Sequence, residues 1–184
     1  MKIAWSIAGS DPSGFAGLHA DLRAFEALGV HGMAAVSALS SQNPSVCESV
    51  SAVGSELLVS QLHAMRSFAA PSAIKTGLLG SEHNVRAIAQ HAGVQSAALI
   101  VDPVCMSSTG FRFMDDATLE AYKRKLLPIA SLVTPNLPES VELSGQQNIK
   151  EAASYFLNIG SQAVLIKGGH RLSDWASDFF SDTE

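Results

Sequence analysis

The chain has 184 residues, 47% of them hydrophobic and 16% charged, with a formal net charge of −5. That length suffices for one domain with a sizeable core, and the apolar share excludes a disordered chain. The acidic balance offers no basic field to nucleic acid, and no apolar run reaches the roughly 18 to 20 residues that span a bilayer. Two cysteines, Cys47 and Cys105, make no disulfide framework. With no signal peptide, a reducing cytoplasm is the expected location. The histidines are scattered without zinc-like spacing.

Strand-like and helix-like runs alternate along the chain. Ile3–Ala8 reads as a strand, followed by a helix over Ala16–Leu28. Met33–Leu39 is the next strand, then a helix over Ser55–Phe68 on which Leu57, Leu58, Leu62 and Met65 recur at helical spacing. The series continues with strand Ala73–Thr76, helix Glu82–Ala92, strand Ala97–Val101, helix Ala117–Leu127, strand Ser131–Thr134, helix Ile149–Ile159 and strand Ala163–Ile166. Asp116 is a candidate cap for the fourth helix, and Gly29 and Gly160 stand where helices stop. Several strands are nearly continuous apolar runs, as buried parallel strands are. The alternation predicts a doubly wound, mostly parallel α/β sheet with helices on both faces. Val46–Val53 breaks the rhythm, because no helix precedes it. It is either a strand standing off the sheet, such as a lid or dimer contact, or a plain edge strand.

The chemistry gathers where strands end. Ile7 to Leu22 runs from a strand through a loop with three glycines and a proline into a helix. Such a loop lets backbone approach a ligand closely and aims free N–H groups at it. Asp21, about one turn beyond Gly17, serves either a ligand or the helix dipole. Ser40-Ser41-Gln42-Asn43-Pro44 follows the second strand. It is a polar turn, or Gln42 offers a donor and an acceptor to a heterocycle. Asp102 ends a buried strand ahead of Pro103, and suits magnesium, a hydroxyl group or the capping of the next turn. Asn136 and Glu139, three apart after two prolines, are either a helix cap or oxygens for magnesium and phosphate. Pro138 is expected at the first helical position. Lys167-Gly168-Gly169-His170 ends the last strand, where an ammonium and open backbone can meet phosphate. The patterns GxxxxGK[ST] and GxGxxG are absent.

In order, Ile7-Ala8-Gly9-Ser10-Asp11-Pro12-Ser13-Gly14-Phe15-Ala16-Gly17, Ala20-Asp21-Leu22, Gln42-Asn43, Lys75-Thr76-Gly77-Leu78-Leu79, Val101-Asp102-Pro103-Val104, Thr134-Pro135-Asn136-Leu137-Pro138-Glu139 and Lys167-Gly168-Gly169-His170 resemble the ribokinase-like superfamily. Within it they are most similar to the hydroxymethylpyrimidine and phosphomethylpyrimidine kinases of thiamin biosynthesis. The opening looks like that family's IAGSDPSGGAG, with Phe15 in place of a glycine. The resemblance covers the whole chain and implies one ribokinase-like domain over residues 1–184.

It implies an enzyme that moves the γ-phosphoryl of ATP, with Mg²⁺, onto 4-amino-5-hydroxymethyl-2-methylpyrimidine and then onto its monophosphate. By the same resemblance, Gln42 binds the pyrimidine edge, and Gly9, Ala16 and Asp21 lie near its amino and hydroxymethyl groups. Leu78 and Val104 pack the ring. Asp102 and Glu139 hold magnesium, Asn136 and Glu139 order the phosphates, and Lys167 lies near ATP. A homodimer is expected. The alternatives are a pyridoxal kinase of the same superfamily, which the Asp-Pro-Ser-Gly opening with Gln42 disfavours, and a non-catalytic pyrimidine binder.

Family members carry a C-terminal GTGC-type turn that forms an anion hole, and nothing like it occurs in these 184 residues. The domain is therefore expected to be truncated at its C-terminus, to bind pyrimidine and to transfer phosphate very weakly. Leu78 stands where the family often has methionine. Ser108 stands where it has a lysine, which bears on handling of the monophosphate.

Overall fold

The computed structural model describes residues 2–92, 97–169 and 177–183. It holds β1 (Ile3–Ser10), α1 (Gly17–Ala27), β2 (His31–Asn43), β3 (Val46–Ala52), α2 (Ser55–Phe68), β4 (Ala73–Thr76) and α3 (Glu82–Ala92). These are followed by β5 (Ala98–Val101), α4 (Asp116–Ala121), β6 (Leu132–Val133), α5 (Leu137–Ser144), α6 (Ile149–Asn158), β7 (Ala163–Ile166) and β8 (Phe179–Asp182). One sheet runs in the order β3-β2-β1-β4-β5-β6-β7-β8. The six strands from β2 to β7 pair in parallel, and β3 and β8 close the two edges antiparallel. No helix among the described residues is long and apolar enough to cross a membrane.

The strand alternation sorts the two faces. Trp5, Ile7, Ile74, Leu99, Val101, Val133, Val164 and Ile166 point to one side. There they pack on Leu58 and Leu62 of α2, Val85 and Ile88 of α3, Leu143 of α5 and Phe156 of α6. This is the main core. On the other side α1 lies over β1 and β2. It packs so closely that a Cβ on Gly32 would stand 2.7 Å from Leu22. Ala73, Ile100, Leu132 and Leu165 also face that side and are only half-buried. The doubly wound expectation holds, with α1 on one face and the other helices on the opposite one.

Several local expectations shift. Val46–Ala52 is the edge strand, paired from Ala38–Ala52 to Asn43–Val46. β2 continues through Gln42, so the expected turn after Leu39 is reduced to Pro44 and Ser45. Asp115, not Asp116, caps α4 by accepting from the Thr118 N–H at 2.8 Å. That helix runs on as a π-turn over Tyr122–Leu126 and a 3-10 turn over Leu127–Ile129. Pro138 falls one residue inside the expected position, because Asn136 is the N-cap and Leu137 the first helical residue. Gly29 and Gly160 end their helices with φ of +68° and +117°. His170 lies outside the described residues.

A buried asparagine ties this frame to the site. Asn84 of α3 is fully buried, and its side-chain amide donates to the carbonyls of Ser37 (3.2 Å), Val53 (3.0 Å) and Leu79 (2.8 Å). Those carbonyls belong to β2, the exit of β3 and the loop after β4. The last of these loops carries Leu78.

Candidate active site

The parallel strands deliver their C-terminal ends to one side of the sheet, where the register of β1 against β2 slips between Ala8 and Gly9. The loop that follows is organised by Asp11, which is buried. Its Oδ1 accepts from the Ser13 N–H (2.9 Å) and hydroxyl (2.7 Å), and its Oδ2 from the Ala16 N–H (2.8 Å). The Gly14 N–H adds a bond to the Asp11 carbonyl at 3.0 Å. Burial pushes the Asp11 carboxyl up, but the Ser13 and Ala16 hydrogen bonds outweigh it and leave its pKa below the usual value. Gln42 adds a smaller lowering effect.

Because the folded pKa is depressed, the stabilisation is complete above the unfolded value of about 3.9 and is lost as pH falls through the folded one. Thermal melts from pH 6 to pH 3 are expected to show an acid-side fall in Tm. Asp11→Asn flattens that fall; an unchanged acid limb would remove Asp11 from this role.

Beside the loop a row of charges crosses the sheet on the α1 face. The Ser6 hydroxyl donates to Asp21 at 2.6 Å, and Lys75 Nζ lies 3.0 Å from the same carboxylate. Lys75 also stands 4.0 Å from Asp102. Lys167 Nζ donates to Asp102 Oδ1 at 2.8 Å, with the Thr134 hydroxyl at 3.4 Å. Half-buried carboxylates and ammoniums thus alternate along the row, so each of its four charges has an opposite partner.

Asn136 and Glu139 build the turn behind this row. The Asn136 side chain accepts from the Glu139 N–H and Glu139 Oε2 from the Asn136 N–H, both at 2.8 Å. This is a capping box. Glu139 Oε1 also holds the Cys105 N–H at 3.3 Å. Burial raises the Glu139 pKa, and the nearby Asp102 charge adds to that. Burial likewise raises the Cys105 thiol far up, so it is no nucleophile.

A cavity of about 330 Å³ opens over these strand ends. Gly9, Ala16, Gln42, Leu78 and Val104, all expected at the substrate, line it together. Lys75 and Asp102 also line it. Asp21 is not in the wall and reaches the cavity through Lys75. Lys167 stands one ion pair further, beyond Asp102. Asn136 joins it by a backbone bridge, and Glu139 lies beneath them. Lys75 lies in the Lys75-Thr76-Gly77-Leu78-Leu79 motif, whose pattern alone does not give it a partner. Its position on a strand facing α1 is the signal that pairs it with Asp21. Phe15, Met106 and Phe113, which also line the cavity, were not expected there.

A sequence profile of the phosphomethylpyrimidine kinase family matches residues 11–184. The chain belongs to the phosphomethylpyrimidine kinase family. Its relatives include the hydroxymethylpyrimidine/phosphomethylpyrimidine kinase of Staphylococcus aureus strain MSSA476, 37% identical over 100% of this chain and 69% of the relative. The same-named enzyme of Rhizobium meliloti is 35% identical over 98% and 70%. Among solved structures, the phosphomethylpyrimidine kinase of Clostridium difficile superposes with a TM-score of 0.89 at 31% identity, covering 100% of this chain and 81% of that one. A pyridoxal kinase from Staphylococcus aureus in complex with pyridoxal superposes at 0.88, with 34% identity and coverage of 99% and 69%. The phosphomethylpyrimidine kinase family assignment confirms the α/β fold and the kinase class expected from the motifs.

Proposed function

We propose that this chain phosphorylates 4-amino-5-hydroxymethyl-2-methylpyrimidine, and then its monophosphate, at the expense of ATP. One observation carries the reading. Five substrate-facing residues expected by resemblance share one cavity, and its wall includes the Lys75–Asp102 part of the charge row. Volumes from about 300 Å³ upward suit small heterocycles.

In this reading Gln42 presents a donor and an acceptor to the ring nitrogens. Leu78 and Val104 pack against the ring, while Gly9 and Ala16 leave space for its substituents. Asp21, held by Ser6 behind the wall, orients Lys75, whose ammonium faces the hydroxymethyl group. Lys167 and Asn136 lie toward the nucleotide.

The donor set fits magnesium completed by phosphates. Asp102 Oδ1 is engaged by Lys167 and Thr134, whereas Oδ2 has Lys75 only at 4.0 Å among the described residues. Magnesium with a nucleotide needs one or two carboxylates and takes its other oxygens from phosphate and water. Asp102 is the residue to hold it. Glu139, with both oxygens on backbone N–H groups, supports it by fixing Asn136 and Cys105. When bound, magnesium with ATP supplies the γ-phosphoryl and neutralises its charge. A homodimer through the β2–β3 hairpin, where Leu39 and Val46 are exposed, and a cytoplasmic location belong to the same proposal.

Mass spectrometry of the pyrimidine after incubation with ATP and magnesium tests the transfer. We expect slow ATP-dependent product formation by the chain and at least about 100-fold less by Asp102→Asn, with pyrimidine affinity unchanged. Equal rates for the two proteins would remove Asp102 from the reaction.

A further inference from the structure

We infer that Phe15 is the aromatic cover of the cavity, stacking on the bound heterocycle and setting a preference for flat aromatic rings; this rests on the function proposed above. Phe15 is 76% exposed although it lines the cavity. Isolated exposed aromatics are ordinary, so exposure alone decides nothing. The backbone on either side does decide it. Before Phe15, the Gly14 N–H is bonded to the Asp11 carbonyl, and the Gly14 carbonyl accepts from the Arg23 guanidinium. After it, the Ala16 N–H is held by the Asp11 carboxylate at 2.8 Å.

The main chain is therefore fixed at both neighbours while the side chain has little protein around it. A phenyl ring left in water on a pinned loop, at the wall of an empty-sided cavity, gains its burial from whatever enters. Leu78 and Val104 supply aliphatic wall, and Met106, itself 46% exposed, stands at the rim with Phe15. An aromatic ring entering there meets an aromatic face whose conformational cost is only its own two side-chain torsions. The anchoring works through Asp11, so the side chain at position 15 is free to set selectivity without holding the fold.

The test is calorimetric titration of 4-amino-5-hydroxymethyl-2-methylpyrimidine, without nucleotide, into the wild-type chain, Phe15→Ala and Phe15→Tyr. Phe15→Ala is expected to weaken binding about tenfold with the melting temperature unchanged, and Phe15→Tyr to stay within about twofold of wild type. In Phe15→Trp, the indole emission is expected to change on titration and to saturate at the concentration that the heat does. Wild-type affinity in Phe15→Ala, or an emission blind to the ligand, would overturn the inference while leaving the function standing. No binding by the wild-type chain itself would overturn the function reading and this inference with it.

Discussion

Gly17→Ala is expected to cost about 3 to 4 kcal/mol of stability and at least about tenfold in pyrimidine affinity. Gly17 opens α1 with φ at +58°, and a Cβ there would stand 2.2 Å from the Gly9 carbonyl oxygen. That oxygen belongs to backbone, so the end of β1 and the start of α1 must separate. Gly9 and Ala16, both in the cavity wall, move with them. Gly14→Ala separates the backbone strain from the steric clash. Its φ is also positive, at +74°, but an added Cβ meets only an Arg23 nitrogen at 3.6 Å. That variant carries the left-handed strain alone, about 1 to 2 kcal/mol. For a chain of this size the difference between the two is several degrees in Tm. Equal Tm values would mean that the Gly9–Gly17 approach places no constraint on the loop.

Asn84→Leu is expected to destabilise by about 3 kcal/mol, read as a lower urea midpoint at unchanged slope. Leucine fills a similar volume but donates to nothing. The Ser37 carbonyl keeps a bond from the Val53 N–H at 2.9 Å. The buried Leu79 carbonyl and the half-buried Val53 carbonyl lose the asparagine donor, and a buried unpaired group costs about 1 to 3 kcal/mol. Since the Leu79 carbonyl anchors the loop bearing Leu78, pyrimidine affinity falls as well. A loss below about 1 kcal/mol would show that other donors replace the amide.

Much of this architecture is legible in the sequence. The parallel strands are short apolar runs that admit one reading, and β1, β4 and β7 lie within or close to their expected bounds. The strand tips were legible because motif order puts Gln42, Asp102 and Asn136 at or just past the ends of strands, which the structure shows to be β2, β5 and β6. What local pattern does not carry is pairing. Asp115 and Asp116 are adjacent acids, and only helix geometry selects which one reaches the Thr118 N–H. The start of α5 was legible in Pro138, Asn136 and Glu139, but not the helix's extent, and the reciprocal bonds of the capping box appear only in the folded turn. β8 owes its strand state to pairing with β7, since Phe179-Phe180-Ser181-Asp182 has no decisive alternation. Asp11 and Lys75 lie inside sequence motifs, yet their work depends on contacts 5 and 54 residues away along the chain. Glu139 was legible both as a cap and as a metal ligand. The structure places both its oxygens on backbone N–H groups, so in the proposed function the metal is assigned to Asp102.

In the proposed function the strand-tip cavity takes a pyrimidine by way of Gln42. Titrating 4-amino-5-hydroxymethyl-2-methylpyrimidine into the 184-residue chain by calorimetry, in parallel with Gln42→Ala and with pyridoxal as a second ligand, tests it most directly. Saturable one-to-one binding to the wild type is expected, with at least about tenfold weaker binding to Gln42→Ala at an unchanged Tm, and weaker binding of pyridoxal. Equal affinity for wild type and Gln42→Ala, or tighter binding of pyridoxal than of the pyrimidine, would contradict it.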